Sequence, residues 1–168
     1  MATTDRSKGP HGISTFIVEK GTPGFTIAKK EKKLGIRSSD TVSLSFQDCR
    51  VPAENRIGEE GFGFKFAMKT LDGGRIGIAA QAYGIAEASM NAALRYEQER
   101  KAFERPIFNF QAIQFKLAEM ATKIDAAQLL ILKADLLKQY GKPYGKQAAM
   151  AKLFASKSSV ECALEAIQ

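Results

Sequence analysis

The segment Asp72-Gly73-Gly74-Arg75, set inside a long stretch of helical apolar spacing, constrains this chain more than any other feature. From Gly63 to Arg100 the residues Ile78, Ala82, Ile85, Ala92 and Tyr96 fall at steps that keep to one helix face. On such a helix Asp72 and Arg75 are three apart and present an acceptor beside a guanidinium fork. The two glycines between them leave bare backbone for a flat or bulky partner to approach. Each costs about 1 kcal/mol against alanine in a helix interior, so the pair needs a reason. Spacing alone leaves two readings open: a bare binding face on one helix, or an Asp-Gly-Gly turn joining two shorter helices.

Composition narrows the class. A chain of 168 residues with 45% hydrophobic content can bury one ordinary core. The alanine-rich run from Ile76 to Ala93 is interrupted by Gln81, Glu87 and Asn91, so it is no membrane span. Met1 to Gly12 is polar and lacks the apolar core of a secretory signal. Cys49, Cys162 and the lone His11 make neither a disulfide framework nor a metal site, and both cysteines read as core or half-buried residues. A net charge of +7 permits nucleic-acid binding. Yet the densest basic run, Lys29 to Lys33, is broken by Glu31 and has no interleaved aromatics for base stacking. It reads as a solvated loop, with an anionic partner as the sharper alternative.

Taken in order, Gly12–Glu19, Phe25–Ala28 and Thr41–Phe46 read as strands, with Thr22-Pro23-Gly24 a turn and Val51 to Asn55 a break. So few strands leave open edges and an uncovered apolar face. Beyond Gly58 β-branched residues thin out and alanine rises, which places a domain boundary there, with residues 1–57 before it and 58–168 after it. Gly58-Glu59-Glu60-Gly61-Phe62-Gly63 lacks the Lys-Ser/Thr of a phosphate loop and reads as a flexible lead into a helix. A second helix spans about Gln111 to Tyr140 on the seam Ile113, Leu117, Met120, Ile124, Ala127, Ile131 and Ala134, and Gly141-Lys142-Pro143 ends it. A third begins near Pro143, with Ala149, Leu153, Val160, Leu164 and Ile167 on one stripe. The fold class is therefore α+β: a partial antiparallel sheet, then an up-down helical bundle, three of whose helices lie in the chain. That stripe runs to the penultimate residue without a cap and the sheet is incomplete, so together they lead to the expectation of a fragment lacking sequence at both ends.

Four blocks carry a resemblance. Leu71-Asp72-Gly73-Gly74-Arg75-Ile76-Gly77-Ile78-Ala79-Ala80-Gln81 resembles the acyl-CoA dehydrogenase family, near its short-chain (butyryl-CoA) branch. So do Lys33 to Thr41, Phe46 to Pro52 and Glu99 to Phe103, in the family's order and at its approximate spacing. The resemblance implies a flavoenzyme that uses FAD to remove two hydrogens from the α and β carbons of a short-chain acyl-CoA, giving the trans-2-enoyl-CoA. It implies the end of a middle β domain in 1–57 and a truncated C-terminal helical bundle in 58–168. It also implies a homodimer or homotetramer, electron-transferring flavoprotein as electron acceptor, and a cytoplasmic or mitochondrial-matrix location. By resemblance Asp72, Gly73, Gly74 and Arg75 contact the acyl-CoA, while Arg100, Phe103 and Gln111 contact FAD. The catalytic base is expected beyond Gln168. The position before Arg75, which supplies the base in the isovaleryl and long-chain branches, is Gly74 here, so this segment alone is expected to be inactive.

Plainer readings stand beside these: Arg100 as a helix-end arginine, Phe103 as a core ring, Gln111 as a helix-start residue. The family has Phe-Gly where this chain has Phe103-Glu104, which puts an anion near the expected pyrophosphate. On one helix Arg75 and Arg100 lie about 37 Å apart at 1.5 Å per residue, so they serve two different active sites. The contrasting class is a non-catalytic basic helical interaction module that keeps the fold without the chemistry.

Overall fold

A computed structural model describes residues 1–168, which divide into two compact units, Met1–Met68 and Lys69–Gln168. The class is α+β, with small antiparallel sheets first and then three long helices in an up-down bundle.

The first unit contains β1 (Ala2–Thr3), β2 (Ile13–Phe16), β3 (Phe25–Lys30), β4 (Val42–Phe46) and β5 (Arg56–Ile57). They form two sheets rather than one partial sheet: β1-β2-β5, and a β3-β4 hairpin, both antiparallel. Pro52 and the short 3₁₀ turn Ala53–Asn55 separate β4 from β5. Asn55 then ties that turn to the end of β2, its carbonyl accepting from the Ile17 amide at 2.9 Å.

In the hairpin Phe25 pairs with Phe46 and Ile27 with Leu44, so all four side chains share one face. The two phenyl rings stack at 4.9 Å. Ile27, Leu44 and Phe46 each remain about half exposed, and the apolar face is uncovered as the strand pattern predicts. Gly24 sits at φ +82°, and a Cβ there would fall 2.1 Å from the Gln47 carbonyl oxygen, so only glycine closes the base of this hairpin.

The glycine-rich lead into the first helix is not flexible, as the sequence reading had it. The Gly61 amide donates to Ser14 Oγ at 3.0 Å, and a Cβ on the buried Gly63 would meet the Ile13 carbonyl at 2.7 Å. These glycines let the backbone press onto β2; they are packing residues.

The helical unit follows. α1 (Gly63–Glu99) leads to a two-stranded hairpin, β6 (Lys101–Ala102) and β7 (Arg105–Pro106), then α2 (Gln111–Gln139) and α3 (Gly145–Ile167). α2 ends in a Schellman motif: Gly141 is left-handed at φ +64°, Lys142 N–H donates to the Leu137 carbonyl at 2.8 Å, and Gly141 N–H to Lys138 at 3.1 Å.

Three small clusters fix the directions of the helices. Ile76 packs with Ala134 and Ala148; Ala79 and Ala82 with Ala127, Ala151 and Ala155; Ala86 with Met120, Ile124 and Cys162. Numbers rise together on α1 and α3 and fall on α2, so α2 runs antiparallel to both.

On α2 the expected seam is the packed one: Met120, Ile124, Ala127 and Ala134 are buried, and Ile113, Leu117 and Ile131 are half-buried. On the other two helices the expected stripe is not the buried one. Of the α1 set only Ala82 is buried, while Ile78, Ile85, Ala92 and Tyr96 face outward. The inner seam is Ile76, Ala79, Tyr83, Ala86, Met90, Ala93 and Glu97, in strict steps of three and four. On α3, Ala149, Leu153, Val160, Leu164 and Ile167 are all exposed, Leu153 at 70%. The face that packs is Ala148, Ala151, Ala155, Ser158, Ser159 and Cys162. Small side chains let these helices approach closely, and the larger ones are left on the outer surface.

Candidate functional site

α1 is unbroken through Asp72-Gly73-Gly74-Arg75, so the turn reading of this stretch is overturned. Asp72 Oδ1 and Arg75 Nη1 form an i,i+3 ion pair on one face, with both side chains partly exposed. A Cβ at Gly74 would meet nothing within 4 Å. One at Gly73 would come 3.7 Å from Lys138 Nζ and 3.9 Å from Tyr144 Oη, so the end of α2 and the start of α3 close that side. Asp72 Oδ2 stands 2.9 Å from where a Gly145 Cβ would be. Tyr144 supplies no side-chain cap to α3, and the Asp72 carboxylate lies at that uncapped positive end, where the helix dipole favours an anion. Lys138, Tyr144 and Gly145 were missed from sequence; the only signal was their position around the Gly-Lys-Pro break.

Arg100 follows the last residue of α1, its amide bonded to the Tyr96 carbonyl at 2.8 Å and its carbonyl accepting from Ile107 N–H at 2.8 Å. The hairpin behind it was also missed, because its two-residue loop is Phe103-Glu104 rather than a glycine-asparagine pair. Ala102 pairs directly with Arg105, and both loop residues are left-handed, Phe103 at φ +49° and Glu104 at φ +65°. This is a type I′ arrangement built from non-glycine residues.

Phe103 is 90% exposed, which overturns its reading as a core ring. Its ring meets Phe110 edge-on at 6.2 Å, and the Arg105 guanidinium lies 4.2 Å over the same Phe110 ring. Phe110 thereby meets the first loop residue and the first residue of β7, a role the sequence did not signal. Gln111 is the exposed first residue of α2, next to Phe110, which gives that helix no side-chain cap.

Arg100, Phe103 and Gln111 thus gather at one end of the helical unit. With Lys101 and Arg105 they offer cations, an open ring, an amide and free helix-start N–H groups. That donor set fits a flat ring system joined to a pyrophosphate. The Asp72–Arg75 pair lies twenty-four residues before the end of α1 at Glu99, about 36 Å away at 1.5 Å per residue.

Other ionisable groups are notable too, Glu97 among them, one turn before Arg100 at the end of α1. Burial raises the pKa of Glu97, and its Oε2 is closed to solvent with no hydrogen-bond partner. Burial also raises the Cys162 thiol, which leaves it unreactive, and Cys49 is half-buried. In the first unit the basic loop lines an open cavity of about 550 Å³ with Lys30, Lys32, Lys33 and Arg37. Its cations are largely engaged within the loop: Lys30 pairs with Asp40, Lys33 Nζ with the Ser39 carbonyl, and Arg37 Nε with the Lys33 carbonyl. No helix is long and apolar enough to cross a membrane.

Residues 61–168 match the family described as "Acyl-CoA dehydrogenase, C-terminal domain". Over all 168 residues the chain is 56% identical to the short-chain specific acyl-CoA dehydrogenase of Megasphaera elsdenii and spans 44% of that protein. It superposes on the butyryl-CoA dehydrogenase structure from the same organism with a TM-score of 0.97 at 56% identity, covering 99% of this chain and 44% of that one. A chain in a structure described as the electron transferring flavoprotein of Acidaminococcus fermentans matches with a TM-score of 0.96 at 57% identity, over the same shares. The chain therefore spans less than half the length of the relatives it matches.

Proposed function

Because this chain belongs to the acyl-CoA dehydrogenase family, we propose that the protein carrying it is a FAD-dependent dehydrogenase of short-chain acyl-CoA thioesters. The observation that carries the proposal is the Asp72–Arg75 fork beside the open backbone of Gly74, on an unbroken helix, in a chain 56% identical to a short-chain enzyme. We assign Asp72 to Arg75 to the acyl-CoA and Arg100, Phe103 and Gln111 to FAD. The domains follow the composition break, a β portion in 1–57 and a helical portion in 58–168.

Bound FAD supplies the acceptor for the β-hydride. The residues present here bind and orient. Asp72 holds the Arg75 guanidinium in place, and the α3 amino end steadies Asp72 in turn. The glycines keep the approach to the backbone open. Gly74 itself offers no carboxylate to accept the α proton. With about 37 Å between Arg75 and Arg100, the two serve different active sites, which calls for a homodimer or homotetramer. The apolar outer faces of α1 and α3 fit such an assembly. Electron-transferring flavoprotein is the proposed electron acceptor, and the match to a chain in the Acidaminococcus fermentans structure supports it.

The test is anaerobic mixing of the full-length, flavin-loaded protein with butyryl-CoA. Bleaching of the flavin band with formation of the 2-enoyl thioester is expected. A flavin that stays oxidised with acyl-CoA of every chain length would refute the assignment.

A further inference from the structure

We propose that Glu104 limits how tightly the hairpin end of the helical unit holds its anionic cofactor. The inference rests on the assignment of Arg100, Phe103 and Gln111 to FAD.

Glu104 occupies the second loop position of the β6–β7 hairpin at φ +65°, beside Phe103 at φ +49°. Non-glycine residues rarely adopt this conformation, and two in succession persist only where the surroundings enforce it. Here the enforcement is visible. Lys101 pairs with Pro106 and Ala102 with Arg105 below the loop, and Phe110 is engaged by both Phe103 and Arg105. The strained loop presents the Phe103 ring, 90% exposed, at the tip of a hairpin whose flanks carry Arg100, Lys101 and Arg105.

Glu104 lies within four residues of those three cations in the sequence yet pairs with none of them. The left-handed turn places it at the tip instead, as an exposed and uncompensated carboxylate next to the ring assigned to the cofactor. The cationic flanks attract a pyrophosphate, and the tip opposes it. A glycine at this position would form the same turn with neither the strain nor the charge. Glu104 therefore sets the affinity below what the rest of the hairpin would give.

The experiment compares FAD dissociation constants of apo full-length wild type, Glu104→Gln and Glu104→Gly by quenching of flavin fluorescence. Glutamine keeps the strained loop and removes only the charge. It is expected to tighten FAD binding about two- to fivefold at low ionic strength, the range of an exposed charge interaction. The gain should shrink toward nothing as salt screens it. Glu104→Gly should show the same salt-sensitive gain and, in addition, a thermal midpoint a few degrees higher from relief of the turn. Unchanged affinity in Glu104→Gln overturns the inference, and so does a gain that salt does not reduce. A gain confined to Glu104→Gly overturns it too, since backbone strain would then be the cause. Wild-type protein that binds no FAD under any condition is a separate result, which removes the cofactor assignment itself.

Discussion

Replacing Glu97 with methionine should stabilise the helical unit at neutral pH. Glu97 is the last member of the α1 inner seam, four residues after the buried Ala93, and its Oε2 is shut off from water without a partner. A buried polar atom left unsatisfied costs about 1–3 kcal/mol. Methionine is close in length, has nearly the same helix propensity and brings no polar atom. In a unit of this size each kcal/mol moves the midpoint by about 4–8 °C, so a rise of at least about 4 °C at pH 7.5 is expected. Burial raises the Glu97 pKa, which means the folded state favours the protonated acid. The stabilising contribution of protonation is complete below the unfolded glutamate value, about 4.3, and is lost as pH rises through the higher folded value. The advantage of Glu97→Met should therefore be smallest near pH 4 and widen upward. Thermal unfolding followed by circular dichroism from pH 4 to 7.5 measures it, and Glu97→Gln isolates the charge, recovering only the pH-dependent part. A variant no more stable than wild type at pH 7.5, or an advantage flat across pH, would refute the reasoning.

Ala79→Leu should destabilise the bundle by about 1–3 kcal/mol, because Ala79 is fully buried against Ala127, Ala151 and Ala155 and leaves no room for three further carbons; denaturant midpoints check this. Arg100→Ala in the full-length protein should weaken FAD retention by roughly 10- to 150-fold, the range for losing a charge-assisted contact of about 1.5–3 kcal/mol, with flavin content after dialysis as the readout.

The helices were legible because three- and four-residue spacing marks a helix whichever side is buried. Which side is buried was not legible on α1 and α3. Sequence reading follows bulk, and bulk pointed to Ile78, Ile85, Leu153 and Leu164. The helices pack instead on Ala79, Ala86, Ala151 and Ala155, because close approach favours residues that contribute little hydrophobic signal. α2 was read correctly because its seam mixes Met120 and Ile124 with alanine. The β6–β7 hairpin escaped notice for a related reason. Its turn uses Phe103-Glu104, residues that carry no turn signature, and its geometry is imposed by pairing and by Phe110. Asp72 and Arg75 were placed together from sequence because an i,i+3 spacing depends on the helix alone. Lys138 and Tyr144 were not, since they reach Gly73 only through the packing of three helices.

The paired glycines remain to be accounted for. Together they cost α1 about 2 kcal/mol against alanines, yet the helix runs through them without a kink residue or a break. Crowding inside the unit does not require them. A Cβ at Gly74 would stand in open space, and one at Gly73 would make ordinary contacts at 3.7 and 3.9 Å with Lys138 Nζ and Tyr144 Oη. Both positions would therefore accept alanine and gain stability from it. A sequence that forgoes such a gain at Gly74, between a paired aspartate and arginine, keeps the helix surface bare there for something that comes from outside the unit, while Gly73 lies beside Lys138 and Tyr144. The acyl-CoA assigned to this face is a ligand of that kind, long and thin enough to lie against exposed backbone, with the Asp72–Arg75 fork at its side.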